Sequence, residues 1–444
     1  MFFLNKFISK QSSVKLKVLK NVYWAILSKV VNMAGALLVG IFVARYLGPA
    51  QYGLMNYVIS FVSLFLILAN FGFENIEIRE ESRHPEETAK IIGTTFLLRL
   101  LFSLIAYVII IIVAFIYEAE GYTIFLISLY GLVVFSTPFD VIRNYYSSIV
   151  KNEYICKVSI ARTIWSSTFR VVLLFCKASL IWFVVSLLID ALFLVQGYLY
   201  VYKKNGLSIK KWSYDKETAI YMIQQAFPLL ISGAAATIFL KIDQVMIGNM
   251  INKESVGYFS VATRFVEVLI FIPGILINTI SPILTRTKKN SVEDYYAKAQ
   301  IFINCVVWGS MFTSVIFCFI CYPIIKYTFG EQYILAVRPM QILAFKLVAV
   351  SLNIISGQIL IIDGKQKLFV IRSLSGCFVC ILLNYLIIPL WGINGVAFIA
   401  IFTQLIAGYI IHAVIPQYRY VFKMQTKSIF VGWKDFTNIK RLIV

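Results

Sequence analysis

Histidine is nearly absent from this chain: His84 and His412 are the only two among 444 residues. Two isolated imidazoles cannot form a histidine cluster, so no metal site and no histidine-based catalytic centre is expected. Charge is also scarce. Asp, Glu, Lys and Arg make up 14% of the residues, where a soluble chain of this length carries about a quarter. Acids are the rarer kind, 21 against 41 Lys and Arg, for a formal net charge of +20. No G-x-x-x-x-G-K-[ST] run occurs, so no nucleotide cofactor is expected. Long loops are missing on one side: the longest there, "KYTFGEQYILAV", is about a dozen residues. That leaves no room for the catalytic domain of a membrane glycosyltransferase or polysaccharide polymerase, so the chain is not read as an enzyme. The opening "MFFLNKFISKQSSVKLKVLK" is basic and amphipathic and lacks a small-residue cleavage site, so no cleavable leader is expected.

What fills the chain is apolar. Hydrophobic residues make up 60%, mean hydropathy is +0.83, and runs of about 20 residues, each able to cross ~30 Å of hydrocarbon, recur throughout. This is the composition of an all-α polytopic membrane protein. The pattern predicts twelve spans, near 21–44, 52–72, 91–117, 122–142, 156–177, 180–202, 221–250, 256–283, 299–322, 338–361, 369–389 and 393–415. Basic residues support the count. With both termini inside, inner segments hold 28 Lys and Arg and outer segments five: Arg45, Lys177, Lys253, Lys326 and Arg338. That asymmetry is the positive-inside pattern. The positive charge is therefore a topology signal, and with no soluble basic domain to carry it, no nucleic-acid partner is expected. Seven cysteines lie in or beside apolar runs, including "CFIC" (318–321) and "CFVC" (377–380); without neighbouring His or acidic ligands they read as small packing residues.

The chain divides in two: a six-helix lobe at 1–203, a cytoplasmic linker at 204–218, a second six-helix lobe at 219–415, and a basic tail at 416–444. An offset of 204 residues aligns the lobes, pairing Ser28 with Ser232, Gly53 with Gly257, Phe61 with Phe265 and Val62 with Val266. Six spans is an even number, so the repeats run parallel. Polar residues fall on matching helix faces. Span seven carries Gln225, Ser232, Ala236 and Asp243 on one face, and span one has Asn21, Ser28, Asn32 and Val39 at the same offset. Span eight carries Ser260, Arg264, Glu267, Gly274 and Asn278, against Asn56, Ser60, Ser63, Asn70 and Glu74 in span two. Lipid does not face such stripes cheaply, so they line a watery cavity or meet each other.

Eight basic residues lie within the spans (Lys29, Arg99, Arg162, Arg170, Lys241, Arg264, Lys346, Arg372) with four acids, Asp140, Asp190, Asp243 and Glu267. Intramembrane charges cost several kcal/mol unless paired or hydrated. A surplus of four cations therefore points to an anionic passenger, whereas a drug or cation extruder would more naturally carry an acidic cavity. In "TIFLKIDQVMIGNM" (237–250), Asp243 lies on the polar stripe. Lys241, two residues away, points roughly to the opposite face, to pair within its own lobe or snorkel outward. In span five, Ser159, Arg162, Thr163, Ser166 and Arg170 share a face and suggest ion pairing with Asp140 or Asp190.

Four segments resemble the polysaccharide flippases, O-antigen (Wzx-type) flippases in particular, of the multidrug/oligosaccharidyl-lipid/polysaccharide exporter superfamily. They are "VARYLGPAQYG" (43–53), "ANFGFENIEIRE" (69–80), "KIDQVMIGNMINKESVGYFSVATRFVEV" (241–268) and "LNYLIIPLWGINGVAFIA" (383–400). The resemblance implies a V-shaped, MATE-like fold with spans one, two, seven and eight lining a central cavity. It implies flipping of an undecaprenyl-diphosphate-linked oligosaccharide across a bacterial cytoplasmic (inner) membrane, for O-antigen, capsule or exopolysaccharide. A drug or cation antiporter of the same fold is the alternative. The expected partners are the lipid-linked oligosaccharide, membrane lipids, protons or sodium ions, and other polysaccharide-assembly membrane proteins. The expected passenger-binding residues are Arg264, Lys29, Arg45, Arg79, Asn32, Ser232 and Asn278, and the candidates for ion coupling are Asp243, then Asp190 and Glu267.

Overall fold

The computed structural model describes residues 12–365 and 369–434, and no strand occurs among them. Among the described residues, ten helices are long and apolar enough to cross a membrane. One of them, 23–83, would be about 90 Å long if straight, three times the ~30 Å of a bilayer core. It is not straight. Helix α1 (Ser12–Asn70) breaks at Gly48, where φ is 72°, with Pro49 next. A left-handed glycine followed by a residue that cannot donate to the helix ladder ends one helix and starts the next. The run 369–414 also breaks, inside α13 (Phe369–Leu405), at Gly392 with φ 55°, three residues after Pro389. Counting each side of these breaks separately gives the expected twelve spans.

The remaining elements follow in order. They are α2 (Glu74–Arg83), α3 (Thr88–Tyr117), α4 (Gly121–Gly131), α5 (Asp140–Ser148), α6 (Asn152–Phe175), α7 (Leu180–Lys204), α8 (Lys216–Met250), α9 (Lys253–Asn290), α10 (Val292–Thr328), α11 (Val337–Ala344), α12 (Lys346–Ile362), α14 (Ile411–Val414) and α15 (Arg419–Val431). A 3-10 stretch with Pro138, Leu132–Phe139, joins α4 to α5. Polar caps set the starts of α8, α9 and α10: Asp215 accepts from the Thr218 N–H at 2.8 Å, Asn252 from Ser255 at 2.8 Å, and Ser291 from Asp294 at 3.2 Å.

By packing, the chain forms two units, 1–46 with 61–234, and 47–60 with 235–444. The first is built around Ile92, Val141, Tyr146, Tyr198 and Tyr202, with a second cluster of Phe71, Phe73, Leu98 and Met222. Within it, Arg99 and Glu77 form a fully buried two-pronged pair at 3.0 and 3.1 Å, each 1% exposed. Asn70 accepts from the same guanidinium at 3.1 Å. Glu77 lies in α2, beyond the expected end of span two, so the intramembrane charges hold a partner for Arg99 that counting spans omitted. Removing one member of such a pair strands the other in low dielectric. Glu77→Ala should therefore destabilise the protein by about 3–5 kcal/mol, whereas Glu77→Leu combined with Arg99→Met should recover most of that loss. A thermal midpoint unchanged by Glu77→Ala contradicts this role.

The second unit is built around Ile277, Leu284, Phe302, Val306, Leu352, Ile355 and Leu360. The tail joins this core. Tyr418, just before α15, and Val421 within it are fully buried, Gln425 donates to the Leu352 carbonyl at 3.0 Å, and Trp308 donates to the Ser428 carbonyl at 2.9 Å. The rest of the expected tail, 435–444, lies outside the described residues.

Candidate functional site

In the second unit, α8 places Lys241 and Asp243 along a cavity of about 250 Å³ that Gln244, Thr263, Glu267 and Lys346 also line. The helical spacing predicts Lys241 on the face opposite Asp243. Both line the one cavity instead, because a long lysine stem can carry its ammonium round the helix. Asp243 is 6% exposed. Its Oδ1 accepts from Asn384 Nδ2 at 2.7 Å and from the Cys380 thiol at 3.4 Å. Asn384 Oδ1 has no hydrogen-bond partner among the described residues. The carboxylate is thus held by donors on α13.

This contact joins two of the quoted segments, since Asp243 lies in the third and Asn384 in the fourth. Sequence reasoning missed Asn384, and it counted Lys346 as an intramembrane cation and Cys380 as a packing residue without placing either beside Asp243. The available signal was an amide inside an otherwise apolar segment, and nothing in the sequence said which helix it would meet.

Arg264 donates from Nη2 to the Tyr52 hydroxyl at 3.0 Å, and no ion pair joins it to Glu267, which is exposed. Tyr52 is 1% exposed and meets Tyr333 edge to face at 6.4 Å. Nearby, the repeat-related glycines come together. A Cβ on Gly53 would lie 1.8 Å from the Lys253 carbonyl oxygen, and one on Gly257 would lie 2.2 Å from that of Pro49. Only hydrogen at these two positions permits the approach, and it brings segments one and three within reach of each other. Tyr57 donates to Asn249 at 2.7 Å along the same contact, and Ser60 bonds Gln244. The side chain of Asn278 lies outside the described residues.

The other expected site residues lie in the first unit. Arg79 bonds Glu80 at 2.7 Å, the Tyr221 hydroxyl at 3.2 Å and Gln225 at 3.3 Å. Asn32 donates to Ser159 at 2.8 Å and accepts from Thr163. Ser232 returns its hydroxyl to the Leu229 carbonyl at 3.1 Å. Lys29 and Arg45 are exposed. Asp190 accepts from Arg170, and from Ser166 at 2.9 Å, which is the pairing that the stripe of span five suggests. Glu77 adds an acid to the expected intramembrane charges, and Glu80 and Glu81 of the same helix are buried as well. No group of three or more His, Cys, Asp or Glu able to hold a metal occurs among the described residues.

A sequence model of a family described as polysaccharide biosynthesis protein matches residues 18–288. The capsular polysaccharide biosynthesis protein CapF of Staphylococcus aureus is 20% identical over 408 residues, covering 88% of this chain and 97% of that protein. Among solved structures, the lipid II flippase MurJ in an inward closed conformation superposes with a TM-score of 0.68 at 15% identity, over 96% of each chain. An inward-facing multidrug-resistance MATE transporter of the MOP superfamily superposes with a TM-score of 0.67 at 14% identity, over 91% of this chain and 99% of the other. At these identities the two structures establish a shared fold.

Proposed function

Since the chain belongs to the polysaccharide biosynthesis protein family, we propose that it flips an undecaprenyl-diphosphate-linked oligosaccharide across a bacterial cytoplasmic membrane by alternating access. The fold is shared with multidrug transporters and does not decide the passenger. The observation that favours a lipid-linked anion is that Arg264 and Arg372, within the spans, have a tyrosine hydroxyl and a backbone carbonyl, not a carboxylate, as their hydrogen-bond partners. A diphosphate headgroup supplies the missing negative charge. Arg264, Lys29, Arg45 and Arg79 are the cations assigned to it, with Asn32, Ser232 and Asn278 as polar companions. The named relative is a capsular polysaccharide biosynthesis protein, so capsule stands beside O-antigen and exopolysaccharide as the destination. Other polysaccharide-assembly membrane proteins are the natural partners.

Cells lacking the protein should accumulate the lipid-linked unit in the inner leaflet and lose surface glycan, and the intact gene should restore it. Accumulation with normal surface glycan would remove the reading. For the energy source we propose coupling to an ion gradient through Asp243, with Glu267 and Asp190 as the other candidates. Glu267 lines the same cavity as Asp243.

The positive-inside count places both termini and the 204–218 linker in the cytoplasm. In the structure that linker is anchored to the first unit. Trp212 donates to the Tyr202 hydroxyl at 2.9 Å, and Lys90 pairs with Asp215 at 3.2 Å. A reporter active only outside the membrane should be silent when fused after Tyr420 and active after Glu120. The opposite pattern overturns the orientation.

A further inference from the structure

We propose that Arg372 forms, with Asn353, Gln404 and Ser373, a binding site for a phosphate group within the second unit. These four side chains line a cavity of about 220 Å³ separate in its cation from the Asp243 cavity. Arg372 is 8% exposed. It spends one donor on the Asn353 carbonyl, Nη2 to O at 2.9 Å, and its guanidinium lies 5.4 Å over the Phe369 ring. Its Nη1 has no hydrogen-bond partner among the described residues. No carboxylate lines the cavity. A guanidinium cannot lose its charge, so at this burial it needs an anion or water.

The surroundings are built to present donors. Asn353 donates to Gln404 Oε1 at 2.7 Å, which leaves the Gln404 NH₂ group among the donors of the wall. The backbone is adapted around the same place. A π-helical turn, Ile406–Ile410, interrupts the end of span twelve, and π-turns frequently mark functional sites. A Cβ on Gly408 in this turn would lie 2.6 Å from Asn353 Cβ, so the turn clamps Asn353 beside Arg372. A planar fork with one unpaired nitrogen, an amide donor and a hydroxyl matches the oxygens of a phosphate. The remaining wall, including Ala236, Leu240 and Ala407, is apolar and suits a phosphate carried on a lipid.

The site does not rest on transport, so its test is a binding measurement whose failure leaves the flipping proposal standing. The full chain in neutral-lipid nanodiscs is titrated with inorganic pyrophosphate and with farnesyl diphosphate, and separately placed in nanodiscs containing phosphatidylglycerol, with the thermal midpoint as readout. At least one probe should raise the midpoint. Arg372→Gln should abolish the rise, and Arg372→Lys should weaken apparent affinity about tenfold, because a point charge lacks the fork. Gln404→Leu should weaken it too, and serves where Arg372→Gln does not fold. A response to pyrophosphate identifies a free phosphate ligand, a response to farnesyl diphosphate alone identifies a polyprenyl headgroup, and a response to phosphatidylglycerol alone identifies a bilayer lipid. A midpoint unmoved by all three probes, or an Arg372→Gln protein that responds as the wild type does, overturns the proposal.

Discussion

Asp243→Asn is expected to abolish proton-driven transport while leaving passenger binding intact. Asparagine keeps the size of the side chain and can still accept from Asn384 and Cys380, which now hold Asp243. It cannot take up or release a proton. The carboxylate is buried, lines a cavity with Lys346 and Glu267, and is hydrogen-bonded by neutral donors, so its charge can change without a fixed ion pair having to break. In vesicles carrying a pH gradient, the variant should transport no faster than empty vesicles, yet bind the lipid-linked substrate with the wild-type affinity. Transport at the wild-type rate shows that Asp243 is not the coupling group, and leaves Glu267 as the titratable neighbour in the same cavity. Asn384→Leu removes a donor and should weaken transport without eliminating it.

Arg264→Ala is the second large effect. The guanidinium donates to Tyr52, a hydroxyl held on segment one, and this sets the direction of the fork. Losing a desolvated contact between an arginine and a phosphate costs about 2–5 kcal/mol, so the dissociation constant should rise roughly 30-fold or more. Surface glycan should disappear while the protein stays inserted and folded. Arg264→Lys should restore part of it, and Tyr52→Phe should fall between the wild type and Arg264→Ala, since it frees the fork without removing the charge. Normal surface glycan in Arg264→Ala takes this residue out of the site.

The helices themselves were legible because hydrophobic length is a property of each segment alone, and a basic excess marks one side of every span. The breaks at Gly48 and Gly392 fall in the gaps between expected spans, at 44–52 and 389–393. Asp243 stood out as an acid in an apolar run. What it touches was not visible, because Asn384 and Cys380 lie some 140 residues away and the pairing is set by how α8 and α13 pack. The same holds for Glu77. Its position in "ENIEIRE" looks like a loop beyond span two, and only the fold turns α2 inward to meet Arg99. Arg372 was countable as an intramembrane cation, but the lack of a carboxylate around it is a property of the assembled cavity. Gly53 and Gly257, which the 204-residue offset pairs, bring their backbones into contact.

The most direct test of the central proposal is reconstitution of the purified full chain in vesicles with a labelled undecaprenyl-diphosphate oligosaccharide in one leaflet and a pH gradient across the membrane. The expected result is protein-dependent movement of the label to the other leaflet, accelerated by the gradient, together with no uptake of a cationic dye. Uptake of the dye without movement of the lipid-linked oligosaccharide would contradict it, and would make the chain a cation antiporter built on the same fold.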